Sequence, residues 1–195
     1  MTPRDFALIA QEAYQAKPDI GKPDSASRAI IRETDQGLCI AFPGTDNMDC
    51  WEADLKALPT TVDMIGRVHM GFWQAWKEIS YQVAKRVGSE PVTFVGHSLG
   101  AAIAICAAGH FVATKRVVAG VYGFEPPRVS PDPNFTSLLL NTPVFLYKNG
   151  NDLVPDVPLF WHHAAPLQRI GKPLSPLPNV RDHAIEQVIL ALTPA

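Results

Sequence analysis

The sequence predicts an α/β fold in which a mostly parallel sheet carries helices on both faces. Three observations lead to that expectation. Short apolar runs at 92–95, 117–124 and 144–147 lack the alternation of a half-exposed strand, so both faces of each should be covered. Stretches with helical spacing alternate with these runs, the order from which parallel sheets are built. Between the run 92–95 and a small-residue helical segment stands Gly96-His97-Ser98-Leu99-Gly100. A G-x-S-x-G turn bends a strand sharply into a helix and lifts the serine hydroxyl above the sheet.

Taken in order, the elements follow from local pattern. Phe6, Ile9, Ala10, Ala13 and Tyr14 recur at helical spacing after Thr2-Pro3, a cap with proline at the first helical position, and the helix should end before Pro18. Residues 29–32 and 38–42 flank Asp35-Gln36-Gly37 and read as a hairpin whose second strand stops at Pro43-Gly44-Thr45. Residues 69–87 place Phe72, Ala75, Trp76, Ile79 and Val83 on one helical face, closed by Gly88. Residues 99–113 continue as a helix in which Gly100, Ala101, Ala104 and Ala108 permit close approach to the sheet. Strands at 117–124 and 144–147 follow. From Pro126 to Pro178 the chain is rich in proline and loops, with short apolar pieces at 160–163, which looks like a strand, and 167–170. Residues 184–192 are spaced for a short final helix.

At 195 residues and 47% apolar composition, the chain (residues 1–195) is expected to be a single domain. A formal charge of -2 with interspersed signs offers no basic face for nucleic acid or an anionic membrane, so a neutral substrate is expected. Cys39, Cys50 and Cys106 are an odd set without paired spacing, which reads as reduced, mostly buried thiols and neither a disulfide framework nor a zinc site. Asp5, Glu12 and Lys17 interrupt the N-terminal apolar residues, and no apolar run is long enough to span a bilayer. These features predict a cytoplasmic protein, although release by a non-classical route would leave no trace in them.

The elbow serine, Ser98, is a weak nucleophile at neutral pH and needs a histidine base and an orienting carboxylate. With acid and base following the serine in the chain, the bases to consider are His110, His162, His163 and His183. His110 lies on the same helix, about 18 Å of axial rise away, and is excluded. His69, at a helix start, reads as a structural hydrogen-bonder. His183, in a loop before the last helix, is preferred over His162 and His163, one of which should be a satisfied, partly buried histidine. For the acid, Asp152 follows the strand 144–147 through Lys148-Asn149-Gly150-Asn151, at the carboxyl end of a strand where α/β sites gather. Asp156 and Glu125 remain as competitors. One oxyanion donor should be the Leu99 amide at a helix N-terminus, and the other the amide of Thr45, where Gly44 permits close approach.

These residues resemble the class 3 lipase family, a branch of the α/β-hydrolases. Ala41-Phe42-Pro43-Gly44-Thr45-Asp46 with Trp51 and Asp54-Leu55 is similar to the family's oxyanion segment, Val68-His69-Met70-Gly71-Phe72 to its Val-His-x-Gly-Phe motif, and 95–99 to its elbow. Pro127-Arg128-Val129, Asn151-Asp152-Leu153-Val154-Pro155 and Asp182-His183 resemble its later signatures. The resemblance implies a compact α/β-hydrolase fold, a triad of Ser98, Asp152 and His183, and an oxyanion hole of Thr45 and Leu99. It implies a serine lipase or esterase that works through an acyl-serine without metal or cofactor. Its substrate would be a small-molecule or lipid ester, with transient contact to a lipid interface and no obligate protein partner. Trp51, Leu153, Val154 and Phe160 are expected to bind substrate, and 46–58 to form either a short amphipathic lid or a permanently packed helix. Two departures stand out: Pro43 replaces the usual Arg, and Glu125-Pro126 replaces Gly-x, which keeps Glu125 open as an alternative acid. A non-catalytic binding member of the fold and an acyltransferase are the alternative functions.

Overall fold

The computed structural model describes residues 1–45 and 58–194. The first helix, α1 (Pro3–Gln15), opens on a reciprocal cap: the Asp5 amide donates to Thr2 Oγ1 at 3.3 Å and the Thr2 amide to Asp5 Oδ2 at 2.7 Å. The strands β1 (Ile20–Gly21), β2 (Arg28–Thr34) and β3 (Gly37–Phe42) pair antiparallel. A separate hairpin, β4 (Pro59–Val62) and β5 (Gly66–His69), leads into α2 (Met70–Val87). Then come β6 (Val92–His97), α3 (Leu99–Ala113), β7 (Val118–Phe124), α4 (Pro133–Leu138), β8 (Val144–Asn149), β9 (Leu167–Ile170) and α5 (Ile185–Ala191).

The main sheet has the order β1-β2-β3-β6-β7-β8-β9, with β3, β6, β7, β8 and β9 all parallel, so the expected mostly parallel sheet is found. Its central strands β3, β6 and β7 are buried nearly throughout because both faces are covered. On β3, Ile40 and Phe42 enter the core under α2 and α3, while Cys39 and Ala41 enter a second core under α1 and α5. On the first face Trp76 meets Phe42, Phe94 and Phe111 edge-on, with ring centroids 6.0 to 6.2 Å apart. Each such pair adds roughly 0.5–1.5 kcal/mol beyond the area it buries. Cys39 and Cys106 are buried free thiols pushed up to about 12 by burial, whereas Cys50 lies outside the described residues. Among the described residues no helix is long and apolar enough to cross a membrane.

The expected strand at 160–163 is corrected to an isolated bridge between Ser130 and His162. Phe160 has a φ of 64°, and a left-handed residue breaks an extended run. The neighbouring piece, 167–170, is the strand, pairing with β8. His69 caps α2 without a side-chain cap hydrogen bond, and its ring stacks on Phe72 at 4.0 Å.

Candidate active site

The parallel register sets Phe42 beside Gly96, so the chain leaving β3 arrives next to the chain leaving β6. Ser98 makes the bend with φ 56°, ψ -127°; its amide donates to Phe124 O at 2.9 Å and its carbonyl accepts from Ala101 N at 3.0 Å. A left-handed serine is costly, and it is held here by bonds on both sides. Leu99 is the first residue of α3, so helix geometry gives its amide no intrahelical acceptor. The 43–45 segment lies against the serine: a Cβ at Gly44 would fall 3.1 Å from Ser98 Cβ and 2.1 Å from the Tyr14 hydroxyl. Thr45 lines a cavity of about 280 Å³ with Tyr14, His97 and His183.

His183 and Asp152, 31 residues apart in sequence, meet in the interior, with Nδ1 and Oδ2 at 2.6 Å. An ionised carboxylate only accepts, so Nδ1 carries the proton and Nε2 is the basic nitrogen. Asp152 Oδ1 accepts the Val154 amide at 3.1 Å. Burial pulls the Asp152 carboxyl up, but the hydrogen bonds from His183 and the Val154 amide, together with the neighbouring Glu125 carboxyl, outweigh it and hold the group below its usual range.

His97, next to the serine, fastens the histidine to the elbow. Its Nε2 lies 2.7 Å from the His183 carbonyl and its Nδ1 lies 2.6 Å from the Tyr14 hydroxyl. Since a carbonyl only accepts, Nε2 donates and Nδ1 accepts from Tyr14. Burial, reinforced by the neighbouring His183, lowers His97 to about 3, so the ring stays neutral. Ser98 Oγ is buried and makes no hydrogen bond among the described residues, so elbow and His–Asp pair are joined through His97. Sequence reading missed this relay, because an aromatic at helical spacing in α1 gives no sign of a polar partner 83 residues on.

Of the competing residues, His110, His163 and Asp156 are engaged elsewhere. His110 accepts from Trp76 Nε1 at 3.1 Å, on α3's far end. His163 Nε2 donates to Pro155 O at 2.7 Å and the ring is lowered to about 4, chiefly by burial, so it is the partly buried histidine of the pair, although its Nδ1 has no hydrogen-bond partner among the described residues, while His162 is exposed. Asp156 accepts from the Lys148 ammonium at 2.6 Å. Glu125 is fully buried at the end of β7, accepts the Asn149 amide, and lies with Asp152 and His183 so that one carboxylate or ring atom of each falls within 4.8 Å of the others. These are donor types a metal would use, but the Asp152 oxygen and the His183 nitrogen are already bonded to each other.

Asp182 supplies the frame. Its carboxylate accepts the amides of Asn151 at 2.8 Å and Leu174 at 3.1 Å and the Asn179 side chain at 3.0 Å. Of the residues expected at the substrate, Trp51 and nearly all of the 46–58 segment lie outside the described residues. Leu153 is half-buried, Val154 is buried and contributes its amide to Asp152, and Phe160 is 91% exposed.

The chain is 28% identical over 162 residues to the secreted mono- and diacylglycerol lipase A of Penicillium cyclopium, covering 77% of this chain and 53% of the relative. It is 26% identical over 169 residues to the secreted mono- and diacylglycerol lipase 1 of Fusarium solani, covering 80% and 48%. It thus spans about half the length of the curated relatives it matches. A solved triacylglycerol lipase, whose catalytic centre is described as formed by a serine protease triad, superposes with a TM-score of 0.71 at 20% identity, covering 93% of this chain and 91% of that one. This likeness shows the α/β-hydrolase fold. The expected cytoplasmic location is overturned by the relatives, which are named as secreted proteins. The profile of the class 3 lipases matches residues 39–161, well over half of the chain, and the chain belongs to that family.

Proposed function

We propose that this chain is a serine carboxylic-ester hydrolase of lipid esters acting outside the cell, with Ser98 as nucleophile, His183 as base and then acid, and Asp152 as the orienting carboxylate. The observation that carries the reading is the buried His183–Asp152 pair at 2.6 Å, fastened to the serine elbow through His97. Ser98 Oγ gives its proton to His183 Nε2 as it bonds to the ester carbon. The tetrahedral oxyanion is met by the amides of Leu99 and Thr45, and the dipole at the start of α3 favours its charge. The C–O bond to the leaving alcohol then breaks and that oxygen takes the proton from His183. Water repeats the sequence on the acyl-serine, its proton passing through His183 to Ser98 Oγ as the acid leaves. Asp152 stays ionised throughout and stabilises the imidazolium.

The lipid-ester substrate class and extracellular setting are supported by the relatives, named as secreted lipases of mono- and diacylglycerols. The test pairs Ser98→Ala with Asp152→Asn on short p-nitrophenyl esters and on monoacylglycerol. Ser98→Ala should abolish turnover and labelling by a fluorophosphonate, and Asp152→Asn should lower kcat by about 10⁴-fold. Undiminished turnover in Ser98→Ala would refute the reading.

A further inference from the structure

Glu125 is a buried carboxyl that the triad does not use, set in a position that disfavours it. Its backbone has a φ of 52°, which glycine adopts without penalty, yet a long acidic side chain stands there. The side chain is fully buried and turns inward. Oε1 accepts the Asn149 amide, while Oε2 is buried with no hydrogen-bond partner among the described residues, and a carboxyl oxygen lies within 4.8 Å of one of Asp152. As a carboxylate, Glu125 would set a second negative charge against Asp152 and leave Oε2 an uncompensated buried charge. As a carboxylic acid, Glu125 carries no charge and has a hydroxyl to offer the neighbouring Asp152 carboxylate. We propose that Glu125 is a positioning residue, held as a neutral carboxylic acid whose hydroxyl donates to the Asp152 carboxylate and leaves Asp152 with one orientation toward His183.

The surroundings agree with the proposal. Burial first, and then Asp152, hold the Glu125 carboxyl well above the usual range, opposed by the Asn149 amide and Lys148. Lys148, the cation nearest on β8, is itself neutralised by Asp156 at 2.6 Å. From the 179–183 turn come His183, bonded to Asp152, and Asp182, whose carboxylate is taken up by its own three donors; His97 on β6 is neutral. None of these supplies a charge that would keep Glu125 ionised. The positioning role rests on the reading of Asp152 as the triad acid.

Glu125→Gln preserves the pattern of a neutral acid, with an amide N–H toward Asp152 and an amide oxygen toward the Asn149 amide; Glu125→Gly relieves the backbone and deletes the donor. In infrared difference spectra at neutral pH, the wild type should show one un-ionised carboxylic acid carbonyl band that Glu125→Gln lacks. This measurement runs equally on a Ser98→Ala background, so it decides the protonation whether or not the protein turns over esters. In kinetics, Glu125→Gly should lose about tenfold in kcat with KM unchanged, the scale of one hydrogen bond to a charged group, and Glu125→Gln should recover most of it. The acid limb of kcat/KM should lie within about 0.3 unit of wild type in Glu125→Gln, since no charge has been removed. A missing acid band, or an acid limb lowered by about a unit in Glu125→Gln, means an ionised glutamate and overturns the proposal. Equal kcat in Glu125→Gly and wild type overturns the positioning role.

Discussion

Around Ser98 the chain is held by contact between backbones, whereas around His183 it is held by side-chain hydrogen bonds. In the first region α3 buries small residues almost throughout and lies on β3 so closely that a Cβ at Gly100 would come within 2.1 Å of the Phe42 carbonyl oxygen. In the second, the loops between β8 and α5 have little regular structure, and Asp182 gathers Asn151, Leu174 and Asn179 while Asn149 donates to the Asp182 carbonyl at 2.9 Å. A steric clamp should be indifferent to pH and intolerant of a single methyl. A polar clamp should tolerate volume but respond to protonation.

Gly100→Ala tests the steric clamp and carries the largest expected effect. The added methyl meets backbone, so α3 must move away from β3 or the strand ends must shift, at a cost of about 3–5 kcal/mol. Either movement separates the Leu99 amide from the 43–45 segment. Thermal melts should show a large loss of stability, and fluorophosphonate labelling of Ser98 should fall with it. A variant that melts and labels as the wild type does would remove the steric account of the elbow.

Asp182→Asn tests the polar clamp. An amide must turn its NH2 toward at least one of three donors, leaving buried groups unmatched at about 2–4 kcal/mol, which for a chain of this size is about 5–15 °C in Tm. Burial raises the Asp182 carboxyl, but the Asn151 amide, the Asn179 side chain and the Leu174 amide outweigh it, and the group sits below its ordinary value. A lowered carboxylate stabilises the fold fully above its unfolded value of about 3.9, and the contribution is lost as pH falls through the folded value. The gap in Tm between wild type and Asp182→Asn should therefore be widest near neutrality and close on acidification below about pH 4. A gap independent of pH would show that shape rather than charge holds these loops.

The same division explains what could be read in the sequence. The hairpin at β2 and β3, the helices α1, α2 and α3 and the elbow repeat at 2 or 3.6 residues or carry a motif with one geometry, and they lie where the pattern puts them. Apart from β8, which its apolar run announces, much of the 126–183 stretch is ordered by single hydrogen bonds between loops, for which no period exists. The strand expected at 160–163 is therefore a single bridge, while β9 forms from a piece that looked no more regular. The hairpin of β4 and β5 went unread because Thr60, Thr61, Arg67 and Val68 are too few to show alternation. The His183–Asp152 contact is where chain order and chemistry suggested, since His183 stands just before the last helix and Asp152 just after a strand. The Tyr14–His97 relay had no such sign, because a side chain's partner across the core leaves no spacing to read, and Glu125 showed only as a departure from Gly-x and a competing acid, with nothing to say what it would meet.

The relay lies between the two regions and carries the smallest expected effect. Tyr14→Phe keeps the ring but removes the hydroxyl that donates to His97 Nδ1 at 2.6 Å. The buried nitrogen then lacks its donor, at a cost of about 1 kcal/mol, or about 2–4 °C in Tm. His97 Nε2 can still reach the His183 carbonyl, so the His183–Asp152 pair should persist and KM should not change. What should loosen is the angle of the His183 backbone relative to the elbow, and kcat should fall about threefold, the scale of a weakened neutral hydrogen bond. If both Tm and kcat matched the wild type, the Tyr14 hydroxyl would have no part in holding His97, and the link between the steric and polar halves of the site would reduce to the His97–His183 bond.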